Sequence, residues 1–243
     1  MNKINLENID YLSKPFPHCV IENFFDTKTA NNLHENILHL NLNNADCKFT
    51  DKKDLHQYNK FAFSNIEKLP LSLKDIFMYL SSKEFITQIE NLTGISNIVH
   101  GDYNLRGAGI HMIKNKGFLG MHTDFNTYDH PEFGKLDRRI NLLVYMNKDW
   151  DSSYKGDLLM YHPNNISEVK CIQPIFNRCV IFNTTNKSVH GHPEPLSVPK
   201  EDIYRKSIAV YYYTKNQSSN ENEYIDFEGD SKHSTLWHKT PKM

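Results

Sequence analysis

The 243-residue sequence predicts a mainly β protein with N-terminal helices, an α+β chain in which a jelly-roll core is buttressed by those helices. Two observations carry that expectation. Helix-spaced apolar residues with capping signals fall before residue 96, and from 97 onward the pattern changes to short β-rich runs punctuated by Gly, Pro, Asn and Asp. So many short strands in one stretch favour a double-sheet jelly roll. The length suits one domain over 1–243, with a helical support region at 1–96, a core at 97–215 and a polar C-terminal tail at 216–243.

Taken in order, Pro15–Phe25 reads as an extended segment, and Asp26 caps a helix over Thr27–Leu38. A polar loop is expected through about residue 60. Pro70 opens a second helix carrying Leu73, Ile76, Phe77 and Leu80 at helical spacing. Ser81-Ser-Lys-Glu84 has capping-box spacing ahead of Phe85, Ile86, Ile89 and Leu92, with Gly94 as the C-cap. Strands are predicted at 106–113, 118–122, 139–146, 156–161, 168–173, 178–184 and 205–214. Residues 216–243 read as a surface tail or an extended edge.

Composition excludes several functions. Net charge is −1, from 28 basic and 29 acidic residues, so neither nucleic acid nor an anionic membrane is an expected partner. The N-terminus lacks an apolar signal core, and no stretch reaches the roughly 18 apolar residues of a membrane span, which predicts a cytoplasmic protein. Cys19, Cys47, Cys171 and Cys179 show no Cys-x-x-Cys spacing, and Cys171 and Cys179 are expected to be small buried hydrophobes.

The chemistry concentrates in a few places. His122-Thr-Asp124 follows the run Gly-Phe-Leu-Gly-Met, His190 lies far downstream, and Arg205-Lys-Ser207 lies beyond that. A His-x-Asp pair and a distant histidine can supply three ligands to one face of an octahedral metal and leave the other face open, the geometry of a non-haem Fe(II) oxygenase. Spacing alone is weak in a chain with 13 histidines, because His100-Gly-Asp102, His130-Pro-Glu132 and His192-Pro-Glu194 have the same form. Context separates His122: an apolar strand, Arg138–Asn147, follows it, whereas His100 reads as a surface histidine and His130 as a loop residue ahead of a proline. An arginine presents the planar fork that a carboxylate prefers, and a serine two residues on along a strand faces the same side. His190 and His192 share a face as well, and the Pro193 that follows His192 argues for His190 as the third ligand.

With these residues in place, Gly107–Thr214 resembles the catalytic core of the Fe(II)- and 2-oxoglutarate-dependent dioxygenases, in particular the prolyl-4-hydroxylase-like branch. The pieces that carry the resemblance are Gly-Phe-Leu-Gly-Met-His-Thr-Asp-Phe-Asn, Arg-Arg-Ile-Asn-Leu-Leu-Val-Tyr-Met-Asn-Lys-Asp-Trp, Asn-Arg-Cys-Val-Ile-Phe-Asn-Thr, Val-His-Gly-His-Pro-Glu-Pro-Leu and Tyr-Arg-Lys-Ser-Ile-Ala-Val-Tyr-Tyr-Tyr-Thr. The resemblance implies a double-stranded β-helix, with His122, Asp124 and His190 as iron ligands and Arg205 with Ser207 on the distal carboxylate of 2-oxoglutarate. The tyrosine that prolyl hydroxylases carry ahead of the motif is missing from Gly109-Ile-His-Met-Ile113, so Asn141 or Tyr145 is expected to complete the cosubstrate pocket. A glycine pair before the next strand is Lys155-Gly156 here, read as a loop variation without chemical consequence.

The implied activity is hydroxylation of an unactivated C–H bond with release of succinate and CO2, using Fe(II), 2-oxoglutarate and O2, with ascorbate as a further candidate. Asp124 favours hydroxylation over halogenation, since halogenases of this superfamily have a small residue there. Arg205 in place of the lysine usual in prolyl hydroxylases leaves the substrate open among peptidyl proline, a free amino acid, and a small metabolite or sugar conjugate. Asn126, Tyr128, Arg139, Trp150 and His192 are candidate substrate contacts. The alternative is a non-redox cupin-like jelly roll that binds a metal or a sugar.

Overall fold

The computed structural model describes residues 3–216 and 231–241. The front of the chain runs β1 (His18–Ile21), α1 (Thr27–Leu38), β2 (Cys47–Phe49), β3 (Gln57–Phe63), α2 (Leu71–Leu80) and α3 (Lys83–Thr93). The remainder is β4 (Gly109–Thr123), β5 (Thr127–His130), β6 (Gly134–Tyr145), β7 (Leu158–His162), β8 (Asn165–Ile172), β9 (Cys179–Asn183), β10 (Val189–His192), β11 (Arg205–Lys215) and β12 (Leu236–Trp237). They form one curled, jelly-roll-like antiparallel sheet in the order β1-β9-β6-β11-β4-β10-β7-β8, with β3 and β12 also on β4. No described helix is long and apolar enough to cross a membrane.

Strand alternation decides what each face does. Ile110 and Met112 of β4, Ile140, Leu142 and Val144 of β6, and Ile208, Val210 and Tyr212 of β11 share one core with Leu33, Ile37, Leu73, Phe77, Phe85 and Ile89 of the helices. Their neighbours in sequence, His111, Ile113, Asn141, Leu143, Tyr145, Ser207 and Tyr211, turn to the opposite face and line a cavity. Burial of each helix phenylalanine contributes about 1.5–3 kcal/mol, so the helices hold the sheet whose far face carries the polar site.

The helix signals read from sequence are local and survive in the fold. Asp26 Oδ1 accepts from the Thr29 amide at 2.9 Å, and Gly94 closes α3 with φ 72°. The capping box is displaced by one residue: Ser82 caps α3 by accepting from the Phe85 amide at 3.3 Å, while Ser81 terminates α2.

The expected polar loop before residue 60 instead contains β2 and half of β3. Asn59 has φ 49°, and the register shifts between Tyr58 and Lys60, so a bulge breaks the alternation that would have marked the strand. The runs predicted at 106–113 and 118–122 are one strand, β4, bent between them. Its first half pairs with β11 and its second with β10, so β4 carries the sheet around the corner. Gly117 at that bend cannot be replaced without displacement, since a Cβ there would lie 2.5 Å from Ile113 Cγ2 and 2.9 Å from the Tyr58 carbonyl oxygen. His130 ends β5 and is buried rather than lying in a loop, and Cys171 is exposed on β8 while Cys179 is buried. Within the tail, 217–230 lies outside the described residues, and β12 adds an extended edge to β4 by pairing Trp237 with His122.

Candidate active site

His122 lies one residue before the end of β4, and directly across from it stands His190 of β10, their ring centroids 4.4 Å apart. Each histidine has Nδ1 2.9 Å from the backbone carbonyl two residues before it, Gly120 and Ser188 respectively. A carbonyl only accepts, so the proton sits on Nδ1 and leaves both Nε2 lone pairs for a metal. Asp124 lies 3.6 Å from His122 Nε2 and 3.5 Å from His190 Nε2, and ligand atoms of all three residues fall within 4.8 Å of one another. Two neutral imidazoles and a carboxylate on one side of an open cavity suit Fe(II).

Asp124 is held from behind. Its Oδ2 accepts from Asn141 Nδ2 at 2.8 Å and from Arg138 Nη2 at 3.0 Å, while Asn141 Oδ1 accepts from Arg138 Nε and Nη2 at 3.1 and 2.9 Å. Burial alone would raise this carboxyl, but Arg138 and the two histidines hold it well below the usual carboxylate range. It is therefore a fixed anion ready to bind a cation. Burial pushes His190 down to about 4, which keeps it neutral and ligating. Arg138 itself is sandwiched, its guanidinium carbon 3.5 Å from the Tyr211 ring centre and 4.5 Å from that of Phe125.

The cavity, of about 220 Å³, continues inward to Arg205, the first residue of β11. Its Nε donates to the Gly156 carbonyl at 2.7 Å and its Nη2 to the Tyr145 hydroxyl at 3.4 Å. Ser207, two residues on, stands directly across from Tyr145 in the same lining. His192 is buried beside them, with no hydrogen-bond partner on either ring nitrogen among the described residues. A buried guanidinium with free donors, a hydroxyl, a phenol and an orphaned imidazole fit the distal carboxylate of a dicarboxylic acid. Gly156 is part of this arrangement rather than a neutral loop variation. Its carbonyl anchors Arg205, its φ is 80°, and a Cβ there would lie 2.6 Å from Leu196.

The proposed ligands and clamp therefore converge on one cavity, together with Asn141, Tyr145 and His192. Asn141 has its amide committed to Asp124 and Arg138, which leaves Tyr145 as the group facing Arg205. The remaining candidate contacts lie elsewhere. Asn126 is buried and holds the returning C-terminal segment through Ser231 and His233. Tyr128 packs against Tyr213 and His130, Arg139 reaches Thr214 on another part of the surface, and Trp150 donates to the Lys155 carbonyl. Residues that the sequence reading did not single out complete the cavity: Arg138 behind Asp124, and Phe49, Gln57, Lys60, Thr235 and Trp237 at the outer wall. Trp237 stacks on His56 at 4.4 Å and lies 5.3 Å from the His122 ring.

A jelly-roll-like sheet with two histidines and an aspartate at one end of a polar cavity, and a forked cation at the other, fits an iron- and oxoacid-dependent oxygenase. Residues 108–213 match the 2OG-Fe(II) oxygenase superfamily. Over 208 residues the chain is 27% identical to mouse prolyl 3-hydroxylase OGFOD1, covering 82% of this chain and 33% of that protein. Among solved structures it is similar to a Trichoplax adhaerens prolyl hydroxylase in complex with a hypoxia inducible factor peptide (TM-score 0.56, 19% identity, 82% and 83% coverage). It is also similar to a Pseudomonas putida prolyl-4-hydroxylase (TM-score 0.58, 11% identity, 82% and 92% coverage). The chain spans less than half the length of the curated relatives it matches. The match to the 2OG-Fe(II) oxygenase superfamily spans 108–213, prolyl hydroxylases are among the similar proteins, and together with the His122, Asp124 and His190 group this match implies Fe(II) and 2-oxoglutarate.

Proposed function

We propose that this protein is a hydroxylase, converting a substrate C–H bond to C–OH while 2-oxoglutarate and O2 become succinate and CO2. The observation that carries this reading is Asp124, a carboxylate pinned by Arg138 and Asn141 where a metal would take it as its third protein ligand. With that position filled by protein, no place is left for a halide. Bound Fe(II) and 2-oxoglutarate would supply the oxidation. The chain's own residues do the rest. Tyr145, Ser207 and Arg205 orient the dicarboxylate, and the apolar Ile113, Leu143 and Leu158 exclude water around it. The wall of Phe49, Gln57 and Trp237 decides what reaches the metal face.

The likeness to prolyl hydroxylases supports a peptidyl proline, a free amino acid or another small molecule as substrate. The test is incubation of iron-loaded protein with substrate pools in 18O2, where one labelled oxygen enters succinate and the other should appear in the hydroxylated substrate. Substrate-dependent succinate with no gain of one oxygen in the substrate-derived product rules out hydroxylation.

A further inference from the structure

Lys60 occupies an unusual place. It stands on β3 opposite Ile113 of β4, and Ile113 stands opposite Arg205 of β11, so the two cations share one cross-strand row on the cavity face. They are two strands apart, roughly 10 Å between backbones. Arg205 faces Tyr145 and Ser207 on the inner side, whereas Lys60 keeps company with Phe49, whose ring centre is 5.4 Å from its amine, and with the outer wall of Gln57 and Trp237. The side chain is half-buried and makes no hydrogen bond or ion pair among the described residues.

The charges around it do not balance. Among the described residues, Lys60, Arg138 and Arg205 line the cavity against a single carboxylate, Asp124, which is already paired with Arg138. The two charges of a divalent metal are offset by those of 2-oxoglutarate. With both bound, two positive charges remain in a confined space, and Arg205 has a carboxylate whereas Lys60 has none. A half-buried cation without a counter-ion is costly, and an anion delivered by the substrate relieves that cost.

We propose that Lys60 is a specificity-determining residue that selects a substrate bearing a carboxylate, docked at the outer wall between Phe49 and Trp237. This rests on the oxygenase reading, since it assigns 2-oxoglutarate to Arg205. The carboxylate belongs either to a free or N-acylated amino acid or to an acidic side chain in a peptide. Both present the same group to the amine.

The test is calorimetry under anaerobic conditions on protein loaded with Mn(II), with and without 2-oxoglutarate. The probes are amino acids and N-acetyl amino acids against their C-terminal amides, and short peptides differing only in Glu for Gln or Asp for Asn. Wild type should bind at least one acid about tenfold or more tightly than its neutral counterpart. Lys60→Met should erase that difference and Lys60→Arg preserve it. Arg205→Lys should weaken 2-oxoglutarate binding far more than Lys60→Met does. Equal binding of acids and amides, no binding of any acid, or a loss of 2-oxoglutarate affinity in Lys60→Met matching that in Arg205→Lys overturns the proposal. Failure of wild type to bind 2-oxoglutarate at all instead removes the oxygenase reading, and the acid-against-amide comparison without cosubstrate still decides the role of Lys60.

Discussion

Arg138 and Asp124 form a buried ion pair, Nη2 to Oδ2 3.0 Å, directly behind the metal face, and Arg138 is 1% exposed. Removing one member strands the other charge. Arg138→Met should destabilise the metal-free protein by about 3–5 kcal/mol in chemical denaturation, and adding Asp124→Asn should recover more than half of that loss. Equal stability of Arg138→Met and wild type would mean that Asn141 alone compensates Asp124.

His190 and His192 lie on the same face of β10 but have different surroundings. His190 Nδ1 is committed to the Ser188 carbonyl, and its Nε2 faces Asp124, whereas His192 has no hydrogen-bond partner among the described residues. His190→Ala should abolish Mn(II) binding in calorimetry, and His192→Ala should retain the metal while raising the apparent KM for 2-oxoglutarate several-fold. The opposite pattern would move the third ligand two residues along the strand.

Acid sensitivity follows from the cavity histidines. Burial, then the charge of Lys60, push His111 down to about 3, against an unfolded value of about 6.5. Above that unfolded value both states are neutral and nothing is lost. As pH falls below it the unfolded chain takes up a proton that the folded state refuses, so stability declines. By pH 5 wild type should have lost about 2 kcal/mol that His111→Gln does not lose, read from urea unfolding of metal-free protein across a pH series. Parallel pH curves would show that His111 ionises freely in the fold.

Lys155 adopts φ 65°, ψ −157°, a region suited to glycine, immediately before the Gly156 carbonyl that anchors Arg205. Relief of about 1–3 kcal/mol of strain outweighs the roughly 0.5–1 kcal/mol entropy that a glycine adds to the unfolded chain. Lys155→Gly should therefore raise stability by about 1 kcal/mol in denaturant titration. A decrease would show that the Lys155 conformation is unstrained.

Some of this was legible in the residues and some was hidden by single irregularities. The helices announced themselves through Asp26, Pro70 and Gly94, because caps are local chemistry. Arg139 was a natural candidate for the cavity, since Asn141, Leu143 and Tyr145 point inward and alternation continues to 139. A bulge intervenes: Ile140 pairs with Tyr212 and Arg138 with Tyr213, so Arg139 is passed over and Arg138 turns inward. The same effect at Asn59 concealed Lys60 inside an apparent loop. Trp237 could not be placed at all, because nothing in its neighbours specifies that a segment so distant in sequence returns to pair with His122.

The cavity wall is drawn from two separate parts of the chain. The metal-facing residues and Arg205 all lie within 108–213, whereas Phe49, Gln57, Lys60, Thr235 and Trp237 lie before or after it. Under the proposed function, reactivity and selectivity are encoded in different stretches of the gene. On that reading, substitutions engineered into the flanking stretches should change the substrate while the oxidising centre stays untouched.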